Sequence, residues 1–264
     1  MDDPSPGPAP RSALAPTALA AVRIVLSEPR HPGNIGAAAR AMKTMGLGDL
    51  RLVRPERYPD PEAERRASGA RDVLAAARVC PTLEDALGDC VTVAAVAARP
   101  RDLAPPCLSP REIAPRLLAA AAQGPVALVF GGETNGLTRA EVGRCDWLVR
   151  IPTDAAYGSL NLGAAVQVLC YEMRLAALDT APGSSAAGDA EPRASHAEVV
   201  RLLDETRHAL EAVGFLDPAR PGRLAERLER LARRAAIEPG EMAILRGAIA
   251  AVRARSPGGP YKVD

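Results

Sequence analysis

Val126-Ala127-Leu128-Val129-Phe130 is an unbroken run of five apolar residues closed by Gly131-Gly132. Its length suits a strand, and the absence of alternation predicts burial on both faces, as in a parallel sheet covered on two sides. The same signature recurs outward from it. Val22-Arg23-Ile24-Val25-Leu26 opens into a polar loop from Ser27 to Gly33, Leu50 to Val53 and Val91 to Val96 read as strands, and another lies near 147–151. Helical patterns separate them: an Ala-rich stretch over 34–45 that stops at Gly46, then 62–76, 110–122, a short piece near 138–144, and a long one from about Asn161 to Leu178. Strands alternating with helices predict an α/β domain built on a parallel sheet over residues 21–179.

The rest of the chain reads differently. Residues 1–20, MDDPSPGPAPRSALAPTALA, have acids where a signal peptide carries its basic region and no continuous apolar stretch. They are expected to be a disordered extension on a cytoplasmic protein. Residues 180–194, TAPGSSAAGDAEPRA, have linker composition. Residues 195–255 carry no strand signal and predict a small all-α domain of about three helices, broken at Gly214 to Gly222 and at Pro239-Gly240, with 256–264 as a tail.

Over 264 residues, 47% hydrophobic and 25% charged is a globular balance, and no apolar run approaches the ~18 residues of a membrane span. Cys80, Cys90, Cys107, Cys145 and Cys170 lie far apart, which suits core residues better than a disulfide framework or a zinc cage. A net charge of +1 is silent about nucleic acid. Only Lys43 and Lys262 are lysines, so arginine richness reflects composition and any nucleic-acid footprint must be local.

Three polar turns could carry chemistry. In the first, Pro32-Gly33-Asn34-Ile35-Gly36-Ala37-Ala38-Ala39-Arg40-Ala41-Met42-Lys43, helical spacing puts Gly36, Arg40 and Lys43 on one stripe, suited to an anion; the plainer alternative is a solvated face with small residues for packing. Residues 23–57 hold seven basic groups (Arg23, Arg30, Arg40, Lys43, Arg51, Arg54, Arg57) against three acids. The second turn, Phe130-Gly131-Gly132-Glu133-Thr134-Asn135-Gly136-Leu137, follows a buried strand where α/β sheets bind ligands, yet it matches neither a Walker A loop nor a GxGxxG site. The third runs from Ile151-Pro152 through Tyr157-Gly158-Ser159-Leu160-Asn161-Leu162, with Ser159 at an apparent cap position. His31, His196 and His208 have no partners at motif spacing. In the tail, Arg223, Arg227, Arg230 and Arg234 recur at helical spacing beside Leu224, Leu228 and Leu231, either as a solvated face or as an RNA-touching one.

Taken in order, PxNxGAAARAMKxMG, VFGxExxGL and IPxxxxxxSLNLxxAVQVxxYE resemble the three motifs of the SPOUT-class RNA ribose 2′-O-methyltransferases. Within that class the likeness is greatest to the bacterial type that acts on nucleotide 32 of the tRNA anticodon loop, and it extends through Val213-Gly214-Phe215, Pro221-Gly222 and Leu245-Arg246-Gly247 of the tail. The resemblance implies a deep trefoil knot at the end of the catalytic domain, a homodimer, and S-adenosylmethionine without a metal. Position by position, it implies cofactor contacts at Val96, Ala97, Ala98, Gly131, Ile151, Gly158, Ser159 and Leu160. Catalytic or orienting roles fall on Asn34, Arg40, Glu133, Ser159 and Asn161, with Arg99 nearby. Read from the basic residues themselves, the expected RNA contacts are Arg30, Lys43, Arg99, Arg223, Arg227, Arg230 and Arg234. Where members often carry a larger polar residue, this chain has Gly132. A different tRNA position or ribosomal RNA, and a non-catalytic RNA-binding protein, are the alternatives. Target bases are expected in a single-stranded loop, where they can be splayed and stacked; with 3% aromatics the composition singles out no stacking residue.

Overall fold

The computed structural model describes residues 15–98, 104–179, 193–219 and 222–254. Seven strands form one sheet: β1 (Val22–Ser27), β2 (Asp49–Val53), β3 (Arg78–Cys80), β4 (Thr92–Val96), β5 (Cys107–Leu108), β6 (Val126–Gly131) and β7 (Trp147–Val149). Their order is β3-β2-β1-β6-β4-β7-β5, and every pairing is parallel. The decisive run 126–130 is therefore the inner strand β6, paired with β1 through Ile24↔Leu128 and with β4 through Ala94↔Leu128.

Both faces of that strand are buried, as its lack of alternation requires. Leu128 and Phe130 join one core with Ile24, Leu26 and Leu52, whereas Ala127 and Val129 join a second with Val25, Val53, Val93 and Leu148. Each large side chain so buried contributes roughly 1.5–3 kcal/mol. The first core is roofed by α2 (Pro32–Met45), α3 (Pro61–Ala67), α6 (Pro110–Ala120) and α8 (Leu162–Asp179). Arg23 is buried at the start of β1, where its Nε donates to Asp49 Oδ2 at 2.8 Å and its Nη1 to the Ala86 carbonyl at 2.7 Å.

The structure adds elements that the sequence reading lacks. Where a disordered extension is expected through residue 20, α1 (Ala15–Ala20) forms and Leu19 is fully buried in the first core; residues 1–14 lie outside the described residues. The 62–76 pattern is two helices, α3 and α4 (Arg71–Ala76), joined by a 3-10 turn over Ser68–Ala70. Strand β3, helix α5 (Leu83–Leu87) and strand β5 are also additional. Four cysteines are buried as expected, but Cys107 is exposed on the edge strand β5.

After α7 (Arg139–Gly143) and α8, the chain re-enters the described residues at Arg193, so most of the expected linker falls outside them. Helices α9 (His196–Ala212), α10 (Leu224–Ala235) and α11 (Pro239–Ala254) share a small core of Ala194, Val199, Leu202, Ile237 and Met242. Of the leucines that run beside the α10 arginines, Leu231 is 57% exposed, and the residue that turns inward is Arg233. Arg233 reaches Glu229 at 3.3 Å and Asp146, just before β7, at 3.7 Å, and lies 3.3 Å from His196 Nδ1. Two further contacts dock this unit on the sheet domain: the His196 N–H donates to the Cys90 carbonyl, and Arg139 pairs with Glu226.

Candidate active site

Strands β4, β6 and β7 lie side by side and run the same way, so their carboxyl ends open at one edge. That edge is where parallel α/β sheets bind ligands. A cleft lies there, and Val96, Ala97, Ala98, Gly131, Ile151, Gly158, Ser159 and Leu160 all line it. The eight positions come from three loops separated by as many as 64 residues of chain, from Val96 to Leu160. The sequence reading did not single out the apolar floor, which Phe130, Leu137, Leu162 and Ala165 supply. The signal for these was their place within or beside the second and third motifs.

The loop after β6 is held by backbone geometry. Gly136 has φ +62°, its N–H donates to the Gly132 carbonyl at 2.9 Å, and a Cβ at Gly131 would stand 2.1 Å from the Gly136 carbonyl carbon. A Cβ at Gly132 would come within 2.3 Å of the Glu28 carbonyl oxygen. This backbone therefore has no room for a larger residue at position 132 without a shift of the loop.

Glu133 turns from this loop toward α2. Its Oε1 accepts from Asn34 Nδ2 at 2.7 Å and from the His31 N–H at 3.1 Å, and its Oε2 from the Arg30 N–H at 2.9 Å. Burial pushes its pKa up, but these donors outweigh it and hold the carboxyl below the usual glutamate range. Asn161 Nδ2 in turn donates to Asn34 Oδ1 at 2.9 Å, while its Oδ1 accepts from the Gly163 N–H at 2.9 Å. Asn161, not Ser159, is thus the residue that caps α8. All three motifs meet in one hydrogen-bonded chain, Glu133–Asn34–Asn161.

The cations divide sharply. Of the seven basic residues in 23–57, Arg23, Arg30, Lys43, Arg51, Arg54 and Arg57 pair with Asp49, Glu56, Asp72, Asp49, Glu28 and Asp60 respectively. Arg40 is exposed on α2 and is the one of the seven without an ion pair among the described residues. It does not line the cleft of its own chain. The anion-binding stripe of Gly36, Arg40 and Lys43 is not assembled: a Cβ at Gly36 would stand 2.2 Å from the Ala63 carbonyl oxygen, so its smallness serves the contact of α2 with α3, and Lys43 is held by Asp72 at 2.7 Å. On α10, Arg223 pairs with Glu226, while Arg227, Arg230 and Arg234 are exposed without ion pairs among the described residues. Arg99 lies outside the described residues. No group of three or more His, Cys, Asp or Glu among the described residues is placed to hold a metal ion, and no described helix is long and apolar enough to cross a membrane.

Comparison with known proteins follows the same division of the chain. Residues 21–171 match the model of the SpoU rRNA Methylase family, and residues 197–259 match the C-terminal domain of tRNA methyltransferase TrmJ. The tRNA (cytidine/uridine/adenosine-2′-O-)-methyltransferase TrmJ of Pseudomonas aeruginosa is 46% identical over 249 residues, covering 91% of this chain and 97% of the relative. The tRNA (cytidine/uridine-2′-O-)-methyltransferase TrmJ of Klebsiella pneumoniae is 42% identical, covering 90% and 98%. The crystal structure of TrmJ from Z. mobilis superposes with a TM-score of 0.76 at 33% identity, covering 87% of this chain and 98% of that one. The chain belongs to the SpoU methylase family, in the branch that carries the TrmJ C-terminal domain.

Proposed function

We propose that the protein is an S-adenosylmethionine-dependent methyltransferase that modifies the ribose 2′-hydroxyl of nucleotide 32 in the tRNA anticodon loop, working as a cytoplasmic homodimer. The observation that carries this is the convergence of eight implied cofactor positions, drawn from three separate loops, on one cleft. The relatives' names support a tRNA ribose target, and the match of the helical tail favours tRNA over ribosomal RNA.

The cleft suits the cofactor chemically. Its floor is apolar, its walls are short side chains and loop backbone, and the one carboxylate among its described lining residues, Glu133, is already engaged by Asn34 and two backbone donors. Val96, Ala97, Ala98, Gly131, Ile151, Gly158, Ser159 and Leu160 would hold it. When bound, S-adenosylmethionine supplies a methyl group on a cationic sulfonium. The chain's residues do the rest. Glu133, Asn34 and Asn161 fix the second and third motifs against α2, and Ser159 at the cleft edge faces the incoming ribose. A guanidinium is a cationic donor and not a base, so Arg40 orients the 2′-hydroxyl and stabilises the alkoxide charge that develops, while the hydroxyl proton leaves to phosphate or water. Its absence from its own cleft supports delivery across the dimer. Arg30, Lys43, Arg99, Arg223, Arg227, Arg230 and Arg234 serve as contacts to the RNA backbone.

The order β1-β6-β4-β7, with three loops gathered at one edge, supports a trefoil knot formed where the chain passes into α8. The two family matches support a division into a catalytic domain over 21–179 and a helical domain over 195–255, joined by 180–194. The test is transfer of labelled methyl from S-adenosylmethionine to a tRNA transcript by the purified chain, followed by nuclease digestion. A single 2′-O-methylated nucleotide at position 32 is expected; base methylation or no transfer contradicts the assignment.

A further inference from the structure

The chain is poor in aromatic residues, and the structure accounts for nearly all of those it describes. Phe130 is buried in the sheet core. Tyr58 donates its hydroxyl to the Leu74 carbonyl at 2.6 Å, and Trp147 packs against the core with the Arg116 guanidinium 5.1 Å from its ring centre. Tyr171 lies on α8, and Phe215 on the turn after α9. Phe130 also reaches the cleft floor but is buried, so Tyr157 is the exposed aromatic at the cleft among the described residues, and at 80% it is the most solvent-exposed large apolar side chain among them.

Its placement is fixed by the loop around it. The Ala156 N–H donates to Asp154 Oδ1 at 2.8 Å, the Tyr157 N–H to the Asp154 carbonyl at 3.3 Å, and Thr153 Oγ1 to the Gly158 carbonyl at 3.4 Å. A tight turn over residues 154–157 therefore sets Tyr157 at its exit, just before the cleft-lining Gly158. Gly158, Ser159 and Leu160 line the cleft and so does Thr153, whereas Tyr157 between them does not. Its ring points out of the cleft into solvent, and its hydroxyl has no partner among the described residues. An exposed aromatic face at the rim of a cleft offers a flat apolar surface on which another ring can stack.

We propose that Tyr157 is the stacking platform for the base of the nucleotide whose ribose enters the cleft. This rests on the ribose-methylation reading given above, because a ribose at the mouth of the cleft brings its own base to the rim. Stacking is tolerant of base identity, since every base has a π-face, so this contact supports acceptance of more than one base at the target.

The test compares Tyr157→Phe, Tyr157→Leu and Tyr157→Ala on two tRNA substrates, one intact and one abasic at the target nucleotide. On intact tRNA, Tyr157→Ala is expected to lose about tenfold to a hundredfold in kcat/KM, with Tyr157→Leu intermediate and Tyr157→Phe restoring most of the rate. On the abasic substrate the wild-type protein and Tyr157→Ala should converge. Calorimetric affinity for S-adenosylmethionine and the thermal midpoint should be the same in all four proteins. A wild-type chain that methylates while Tyr157→Ala matches it on intact tRNA, or keeps its full deficit on the abasic one, overturns the stacking role alone. A wild-type chain that transfers no methyl group to tRNA overturns the parent function and this role with it.

Discussion

Glu133 gathers donors from two sources at once, the Asn34 amide and the backbone of Arg30 and His31, so its carboxylate ties the loop after β6 to the start of α2. Glu133→Gln replaces one accepting oxygen by a donor and removes the charge. A roughly tenfold fall in kcat/KM is expected, about one charge-assisted hydrogen bond after solvent screening, with S-adenosylmethionine affinity changed less. The pKa direction sets the pH response. Because the carboxyl is held below the usual glutamate range, the network is complete above that range and is lost only as pH falls through the lowered value. Single-turnover rates of the wild-type protein should stay insensitive to Glu133 until below the pKa of a free glutamate; a loss of rate above it that disappears in Glu133→Gln contradicts the account. Arg40→Ala should lower the transfer rate by about 10²–10³, the scale of one lost oxyanion donor, and leave cofactor binding intact in calorimetry. An active Arg40→Ala protein refutes its role.

At the scale of elements, the site depends on α8 lying tightly on α2. A Cβ at Gly163 would stand 2.7 Å from Ala37 Cβ, so Gly163→Val must push the two helices apart and with them Asn161 from Asn34. Overpacking of this kind costs about 1–3 kcal/mol, measurable by urea unfolding, and the transfer rate should fall by more than stability alone explains. The inner strands were legible in the sequence because β1, β4 and β6 are apolar on both faces. Strands β3 and β5 were not: two or three residues at a sheet edge carry no periodicity. Nor was α1, whose sequence is only Ala, Pro, Thr and Leu and whose order comes from Leu19 entering the core. For the site, local pattern alone located three polar turns, and their roles came from the family resemblance. The cap falls on Asn161, two residues beyond the Ser159 that the local polarity suggests, because α8 begins only at Leu162. The pairing of six of the seven basic residues, which isolates Arg40, depends for Arg23, Arg30, Lys43 and Arg54 on long-range acids that spacing does not reveal.

At the scale of the whole molecule, a buried polar cluster joins the helical domain to the sheet. Arg233, 8% exposed, bridges Glu229 of its own helix and Asp146 before β7, and Asp146 Oδ2 accepts from the Val93 N–H at 2.8 Å. Arg233→Ala leaves Asp146 without its cation and is expected to cost about 3 kcal/mol of stability in chemical denaturation. His196 sits in the same cluster, where burial first, then Arg233 and Arg144, push its pKa down to about 3. An unfolded histidine takes up a proton near pH 6.5, so the unfolded chain binds more protons between those values and stability falls as pH drops through that window. Asp146, whose pKa burial pushes up, also titrates beside Arg233, so the informative quantity is the difference from His196→Gln. That variant should lose part of the acid dependence between pH 6.5 and 4, measured by urea unfolding; parallel curves contradict the assignment.

The central claim is that the three loops beyond β4, β6 and β7 make one ribose-methylating site directed at tRNA. It is tested most directly by mapping ribose methylation across total tRNA from cells with and without this gene. The account predicts loss of the 2′-O-methyl group at nucleotide 32 of a defined set of tRNAs and its return when the intact gene, but not the Arg40→Ala form, is restored. An unchanged methylation map contradicts it.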